Sequence, residues 1–325
     1  MKVVKKEFGK LNNGQVVWAY TLENRKGTSL TAISYGATWQ SLIVNHLGKA
    51  QELLVKFHDM KSYLNNPFHL GNTIGRVGGR LSRISYDLGG NRFNLTANDH
   101  GHVLHSGING FDSVNWSAEI ADHGDRAEII FSHTFEDEFP GHLLAQVIYT
   151  LDDQNKIQIS FSGRSTLPTL FNPMTHVYFN LAGGGLNISQ HQLRINSKKH
   201  VEVDNVKIPT GNLLQNTDTR FDFSDFKTIR NQEFDDAWLL DNNHQGPLVS
   251  LKNPTNGIQL DINSDRNGVV VFTTDPAQNS SENTAIAIEM QTLPDAINHE
   301  NFGNINLPAN QTQTYSVTYQ LKYNQ

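Results

Sequence analysis

Short runs in which apolar and polar residues alternate make up most of this chain. Successive side chains of a β-strand point to opposite faces, so such alternation predicts strands with one buried face. Clusters rich in Gly, Asn and Asp, such as LNNGQ, ENRKGT and LDDQNK, separate the runs and predict turns. The predicted strand runs are QVVWAYTLEN (15–24), SLTAISYGATWQSLIV (29–44), RAEIIFSHTF (126–135), LLAQVIYTLDD (143–153), KIQISFSGRS (156–165), THVYFNLAG (175–183), GVVVFTTD (268–275), TAIAIEMQTL (284–293) and TYSVTYQLKY (314–323).

Helical periodicity is scarce, and the segment HDMKSYLNN (58–66) predicts one short helical turn. The polar stretch HQGPLVSLKNPTNG (244–257) indicates a loop followed by a hairpin, not a boundary between domains. No repeat, linker or low-complexity segment interrupts the 325 residues. Many short strands with turns between them predict an all-β sandwich or barrel, formed as one domain over residues 1–325.

The run AIAIEMQ places a carboxylate inside an apolar strand. Alternation puts Ile286, Ile288 and Met290 on one face, and Glu289 with Gln291 and two alanines on the other. Two interpretations fit this pattern: an edge strand whose polar face meets water, or a strand that forms the wall of a pocket.

The run THVYFNLAG shows the same division. His176, Tyr178 and Asn180 share one face, opposite bulky apolar residues. A strand facing solvent more commonly carries Thr, Lys and Glu, so this second polar face favours a pocket.

The glycine-rich segment GNTIGRVGGRLSRI carries Arg76, Arg80 and Arg83. Glycine lets the backbone adopt positive φ or approach a ligand closely. The segment lacks the Lys-Ser/Thr ending of a phosphate loop and no helix is predicted after it. A glycine-rich turn with solvated arginines is the alternative to a binding site.

Two further segments carry candidate chemistry. DHGHVLHSG contains His100, His102 and His105, but no carboxylate follows at a useful spacing, so we expect one functional histidine and no metal site. EFDDAWLL contains Asp235 and Asp236, which point to opposite sides if the segment is a strand, so at most one faces a given pocket. A turn cap is the alternative interpretation of these two acids.

Composition excludes several functions. The formal net charge is −6, the pI is about 6.1 and no basic run is present, which argues against a nucleic-acid footprint. The absence of cysteine excludes disulfides and thiolate metal sites. The N-terminal segment lacks an apolar signal region, and no stretch approaches the roughly 18 apolar residues of a membrane span. We therefore expect a soluble cytoplasmic protein.

The sequence contains neither a cysteine nor a G-x-S-x-G element, which narrows the options for a covalent nucleophile. The remaining candidate groups are a carboxylate, a histidine, an arginine and apolar walls. This set suits general acid–base catalysis on a polar, uncharged substrate.

Several segments together resemble the aldose 1-epimerase (galactose mutarotase) family over nearly the whole chain and in the same order. They are GATWQSLIV, NHLGKAQELLVKF, HLGNTIGRVGGRLSR, VLHSGINGFDSVNW, THVYFNL, IPTGNLLQNTDTRFDF, FDDAWLL and AIEMQTLPDAIN. Each motif alone is weak, but their common order makes the resemblance specific.

The resemblance implies a large antiparallel β-sandwich, the supersandwich of galactose mutarotases, with few short helices and a sugar cleft on one concave face. It implies that Glu289 is the general base and His176 the general acid in the interconversion of α and β anomers. Arg80 and His105 would hold the sugar near its ring oxygen, and Asp235 would accept hydrogen bonds from its hydroxyls. It implies no metal and no other cofactor.

Four positions depart from the family pattern. Gly79 stands in place of an asparagine, Ser106 in place of a glycine, and FDDAW in place of D-H-N-F, which makes Asp235 the least secure assignment. Residues 269–271 are all valine where some relatives carry a sugar-binding glutamine. These departures leave the sugar open between hexoses such as glucose or galactose, a disaccharide and a pentose. Sugar phosphates are disfavoured, because the family members that prefer them lack the L-H…G-F pattern.

Two other functions remain as alternatives. A β-sandwich glycoside hydrolase would pair Glu289 with Asp235 and leave His176 without a role. A non-catalytic carbohydrate-binding module would bind sugar without changing its rate of anomerisation. The oligomeric state is open between a monomer and a homodimer.

Overall fold

The computed structural model describes residues 1–243, 245–278 and 280–323, and within them the fold is all-β, as predicted. The short helix is α1 (Met60–Leu64), and 3-10 turns lie at Phe111–Ser113, Ala296–Asn298 and Glu300–Phe302. The strands of the described residues are β1 (Lys2–Lys10), β2 (Val16–Glu23), β3 (Ser29–Ile33), β4 (Thr38–His46), β5 (Lys49–Glu52), β6 (Thr73–Ile74), β7 (Arg80–Leu81), β8 (Ser85–Leu88), β9 (Asn91–Asn94), β10 (Val103–Leu104), β11 (Ser117–Asp122), β12 (Arg126–Phe135), β13 (Leu143–Asp152), β14 (Lys156–Ser165), β15 (Thr169–Leu170), β16 (Met174–Thr175), β17 (Tyr178–Phe179), β18 (Gln192–Ile195), β19 (Lys199–Val203), β20 (Pro209–Gln215), β21 (Lys227–Thr228), β22 (Asp235–Leu239), β23 (Val249–Lys252), β24 (Gln259–Ser264), β25 (Gly268–Thr274), β26 (Ala285–Gln291), β27 (Asn306–Leu307) and β28 (Thr312–Lys322).

Three large sheets organise these strands. The first has the order β1-β2-β3-β4-β5, the second β11-β12-β13-β14-β28-β24-β23-β18-β21, and the third β17-β26-β25-β22-β19-β20. Neighbouring strands in each sheet are antiparallel. The first and third sheets are joined at their edges, where the Val55 N–H donates to the Tyr178 carbonyl at 2.9 Å. They therefore form one layer that faces the nine-stranded sheet.

The main core lies between these two layers. Alternate residues of β13 and β14, such as Val147 and Ile159, are fully buried and meet Ile286 and Ile288 of β26 in the same cluster. Trp39 is near the centre and packs edge-on against Tyr319 at 5.1 Å between ring centroids. This core contains residues of all three large sheets, and the single domain over residues 1–325 stays a prediction.

Most predicted strand runs are confirmed, and the exceptions have local causes. The run 29–44 divides into β3 and β4, because Gly36 and Ala37 both adopt positive φ. THVYFNLAG forms only the two-residue strand β17 and one end of β16. The predicted helical turn is α1, whose N-cap Asp59 accepts a hydrogen bond from the Ser62 N–H at 2.9 Å.

The predicted loop and hairpin over 244–257 is confirmed where it is described. β23 pairs with β24 across a turn in which the Gly257 N–H donates to the Asn253 carbonyl. His244, the first residue of that segment, lies outside the described residues. Among the helices of the described chain, none is long and apolar enough to cross a membrane.

The six-stranded sheet also has a second, outer face. Val201, Ala237 and Val270 lie there in a separate cluster with residues from the segments 77–103, which includes the short strands β7 to β9, and 293–305. These segments cover part of the outer face and leave a cavity over the remainder, which contains the candidate site.

Candidate active site

A cavity opens on the outer face of the six-stranded sheet. Its volume is about 800 Å³, which includes the solvent-open space at its mouth. All five predicted site residues are on its wall: Arg80, His105, His176, Asp235 and Glu289. Its other lining residues are Pro67, Phe68, His69, Gly79, Leu104, Tyr178, Val201, Val203, Lys207, Pro209, Asp236, Ala237, Val270, Phe272 and Pro294. The fold thus brings together predicted site residues that are up to 209 positions apart in the sequence, from Arg80 to Glu289.

Glu289 points into the cavity because of the alternation along β26. Ile286, Ile288 and Met290 enter the main core, so Glu289 lies on the opposite face. Its side chain is 3% exposed, which rules out the interpretation that this strand simply meets water. Gln291 donates a hydrogen bond from Nε2 to the Glu289 Oε2 at 3.1 Å. Burial, followed by the charge of Asp235, raises the pKa of Glu289 to about 8.

His176 faces Glu289 across 3.3 Å, measured from its Nε2 to the Glu289 Oε1. Its backbone is fixed, since its N–H donates to the Asn72 carbonyl at 2.8 Å and its carbonyl accepts from the Gly71 N–H at 2.9 Å. The imidazole stacks on the ring of Tyr178 with centroids 5.0 Å apart. Among the described residues, Nδ1 has no hydrogen-bond partner. Burial, followed by the charge of His69, lowers the pKa of His176 to about 3.

These two shifts have one consequence for the Glu289–His176 pair. With one pKa near 8 and the other near 3, the pair holds a single proton throughout the neutral range. A neutral carboxyl with a neutral imidazole and a carboxylate with an imidazolium contain the same number of protons. The pair can therefore change between these two forms without exchanging a proton with solvent, which suits simultaneous proton transfers to and from a bound substrate.

Arg80 and Asp235 form an ion pair at the side of the cavity. Arg80 donates from Nε to Asp99 at 2.8 Å, and its Nη1 lies 3.6 Å from the Asp235 Oδ2. The two charges act on Glu289 in opposite directions, since Arg80 lowers its pKa and Asp235 raises it. Asp236 is also among the lining residues, so the expectation that at most one of the two acids faces a given pocket is wrong. Its carboxylate lies 2.9 Å from Nη2 of Arg220 and 3.7 Å from Nζ of Lys207.

His105 is held as a neutral hydrogen-bond donor. Its Nδ1 accepts from the Gly79 N–H at 3.2 Å, which leaves the ring proton on Nε2. Burial lowers the pKa of His105 well below the ordinary value. The neighbouring Ser106 adopts a φ of 70°, and its hydroxyl accepts from the Val77 N–H at 2.6 Å, so this departure from the family pattern fixes the loop below His105.

The remaining candidates of the glycine-rich segment and of DHGHVLHSG are not on the cavity wall. Arg76 is fully buried, pairs with Asp137 at 2.8 Å and donates to loop carbonyls, so the interpretation of solvated arginines is wrong for this residue. Arg83 and His100 are exposed, and His102 bonds to the Ser82 carbonyl. Within the described residues, no cluster of His, Asp and Glu has the arrangement of a metal site.

Sequence reasoning missed His69 and Lys207 on the cavity wall. His69 follows a loop with no strand pattern, and Lys207 lies in a polar turn, where a positive φ of 65° brings it towards β22. A single sequence contains no signal that distinguishes such loop residues from ordinary surface residues. Of the three valines at 269–271, only Val270 faces the cavity, because of its place in the alternation of β25.

Comparison with known proteins shows one consistent likeness. The family model for aldose 1-epimerase matches residues 19–320. The chain is 35% identical to a maltose epimerase of Levilactobacillus brevis, over 98% of this chain and 99% of that protein. It is 31% identical to an aldose 1-epimerase of Streptococcus thermophilus, over 98% of each chain. A galactose 1-epimerase structure from Lactobacillus acidophilus covers all of both chains with a TM-score of 0.88 at 23% identity, which shows the same fold.

Proposed function

Because the chain belongs to the aldose 1-epimerase family, a family of isomerases, we propose that it interconverts the α and β anomers of free aldoses such as glucose or galactose. The observation that carries this proposal is the buried contact between Glu289 and His176 at the base of an open cavity. A carboxyl and an imidazole that share one proton are the two groups that reversible ring opening of a hemiacetal needs.

Glu289 accepts the proton of the C1 hydroxyl while His176 donates a proton from Nε2 to the ring oxygen. The bond between C1 and the ring oxygen breaks, and C1 becomes an aldehyde carbon. Rotation about the C1–C2 bond then exposes the other face of the carbonyl. Ring closure returns one proton to His176 and takes the other from Glu289, so the site regains its original state without a cofactor.

The proton needed at the start is already in the site. Before a sugar binds, Glu289 holds this proton, as its raised pKa indicates. A sugar that donates its C1 hydroxyl to Glu289 and accepts from His176 at its ring oxygen stabilises the carboxylate–imidazolium form instead. Binding thereby moves the proton from Glu289 to His176 and produces the reactive form of the pair.

The remaining wall residues orient the sugar in this proposal. Arg80 and the Nε2–H of His105 donate near the ring oxygen, and Asp235 accepts from a ring hydroxyl. Each positioned proton transfer contributes on the order of 10²–10⁴ in rate, and the two acting in concert contribute less than their product. That is sufficient, because mutarotation also proceeds unaided in water.

Maltose is a second candidate substrate, since the relative from Levilactobacillus brevis is a maltose epimerase. Its reducing ring would occupy the same place as glucose, and its second ring would lie towards the open mouth of the cavity. The prediction of a cytoplasmic monomer or homodimer that acts without a cofactor is part of the same proposal.

Polarimetry of freshly dissolved α-D-glucose, α-D-galactose and maltose tests the proposal. We expect the protein to accelerate the approach to an unchanged final rotation, and His176→Ala to lose this acceleration. His142→Ala is the matched control, because this exposed histidine pairs with Glu136 at 3.0 Å away from the cavity. Binding of sugar without acceleration would favour the carbohydrate-binding module. Release of reducing sugar from an aryl glycoside would favour the glycoside hydrolase.

A further inference from the structure

A third imidazole adjoins the two predicted histidines of the cavity. The ring of His69 lies edge-on to His105 with centroids 5.0 Å apart, and 6.1 Å from the ring of His176. Its side chain is 29% exposed and forms part of the cavity wall. The mechanism proposed above gives His69 no role.

The structure fixes both the backbone and the ring of His69. Its φ of 49° is in the left-handed region, which is uncommon for a residue with a side chain and is concentrated at functional sites. Its N–H donates to the Asn66 carbonyl at 3.1 Å, and its carbonyl accepts from the Asn72 N–H at 2.9 Å. Asp112 contacts Nδ1 at 2.8 Å through its Oδ2. The carboxylate therefore holds the Nδ1 proton and leaves Nε2 as the nitrogen available to a ligand.

The position of His69 relative to the Glu289–His176 pair indicates which part of a bound sugar His69 would face. The ring oxygen of an aldopyranose has two neighbours, C1 and C5. Glu289 contacts Nε2 of His176 and would face the C1 hydroxyl, whereas His69 packs against the rings of His105 and His176. Among the described residues Glu289 contacts His176, and no contact joins it to His69. A sugar whose C1 hydroxyl meets Glu289 and whose ring oxygen meets His176 would therefore have C5 and its substituent on the side of His69.

We propose that His69, oriented by Asp112, is a substrate-binding residue that forms a hydrogen bond with the C6 hydroxyl of an aldohexose. The inference rests on the proposed epimerase function and refines its substrate class to sugars with a hydroxymethyl group on C5. A hydroxyl both donates and accepts, so Nε2 forms this bond in either protonation state of the ring. The contact selects glucose and galactose over pentoses and over 6-deoxy sugars.

The test compares α-D-glucose, 6-deoxy-D-glucose and α-D-xylose in the wild type, His69→Ala and His69→Phe. Loss of one hydrogen bond should reduce kcat/KM for glucose by about 10-fold, chiefly through a higher KM. The values for 6-deoxy-D-glucose and xylose, which lack the C6 hydroxyl, should change less than about 2-fold. Asp112→Asn should produce a smaller loss with the same sugar dependence, and His142→Ala should leave all three values unchanged.

His69→Phe retains the ring contact with His105, so it serves the comparison if His69→Ala does not fold. An equal loss with all three sugars would overturn the inference, because it would show a role in chemistry or structure and not a C6 contact. Unchanged kinetics with glucose would overturn it as well. Failure of the wild type to accelerate any of the three sugars would be a failure of the proposed function itself, and the inference would fall with it.

Discussion

Replacement of Glu289 by glutamine should remove activity and stabilise the fold at neutral pH. Glutamine has nearly the shape of a protonated glutamate, and its amide can donate to Nε2 of His176 while accepting the bond from Gln291. The variant therefore retains the contacts of the pair but cannot accept a proton. We expect turnover to fall by on the order of 10²–10⁴, the contribution of a general base.

The effect on stability follows from the raised pKa. The folded protein holds the Glu289 proton up to about pH 8, whereas the unfolded chain releases it near pH 4.5. The contribution of this group is thus fully present below pH 4.5 and is lost as the pH rises towards 8. Between pH 4.5 and pH 7, about 2.5 pH units, the free energy of unfolding falls by about 1.4 kcal/mol per unit, which is about 3 kcal/mol in total. Glutamine does not titrate and avoids this loss.

Urea unfolding followed by tryptophan fluorescence at pH 7 and pH 4.5 measures the difference. Relative to wild type, Glu289→Gln should gain up to about 3 kcal/mol in unfolding free energy between pH 4.5 and pH 7. Glu52→Gln is the control: Glu52 pairs with Lys56 and accepts from the Leu42 N–H, so its loss should destabilise the fold and leave turnover unchanged. A Glu289→Gln variant that is less stable at pH 7, or that retains turnover, would refute the reasoning.

The same structure gives two further predictions. The enzymatic rate constant, corrected for spontaneous mutarotation, should fall above about pH 8, because the Glu289–His176 pair then loses its last proton. Asp235→Asn should move this fall to lower pH, because the charge of Asp235 raises the pKa of Glu289. Arg80→Gln should move it to higher pH, because the charge of Arg80 lowers that pKa. A pH–rate profile that is identical in the three proteins would contradict this electrostatic coupling. Arg76→Gln should lower the unfolding free energy by about 3–5 kcal/mol, since it leaves the buried carboxylate of Asp137 unpaired. Urea titration would measure this loss, and a change within about 0.5 kcal/mol would show that the pair is not needed.

The local pattern of the sequence determined the strands and their two faces. Alternation is a property of neighbouring residues, so β26 and the segment 176–181 could be divided into core and polar faces from the sequence alone. That division identified Glu289 and His176 as polar groups among apolar strands. Arg80, His105 and Asp235 were each one of several candidates in their segments, and only the resemblance to a family selected them, since local sequence does not distinguish them from the neighbouring candidates.

Tertiary structure alone decided which of these groups meet. Arg76 and Arg80 are four residues apart in the same glycine-rich segment, yet one is buried against Asp137 and the other lines the cavity beside Asp235. His69 and Asp112 are 43 residues apart and touch only because the loop after α1 packs against the turn at Phe111–Ser113. The displaced pKa values of Glu289 and His176 likewise arise from burial, which depends on chain segments distant in the sequence. Sequence pattern fixes the direction of a side chain relative to its own strand, whereas its surroundings, and hence its chemistry, are set by contacts between distant segments.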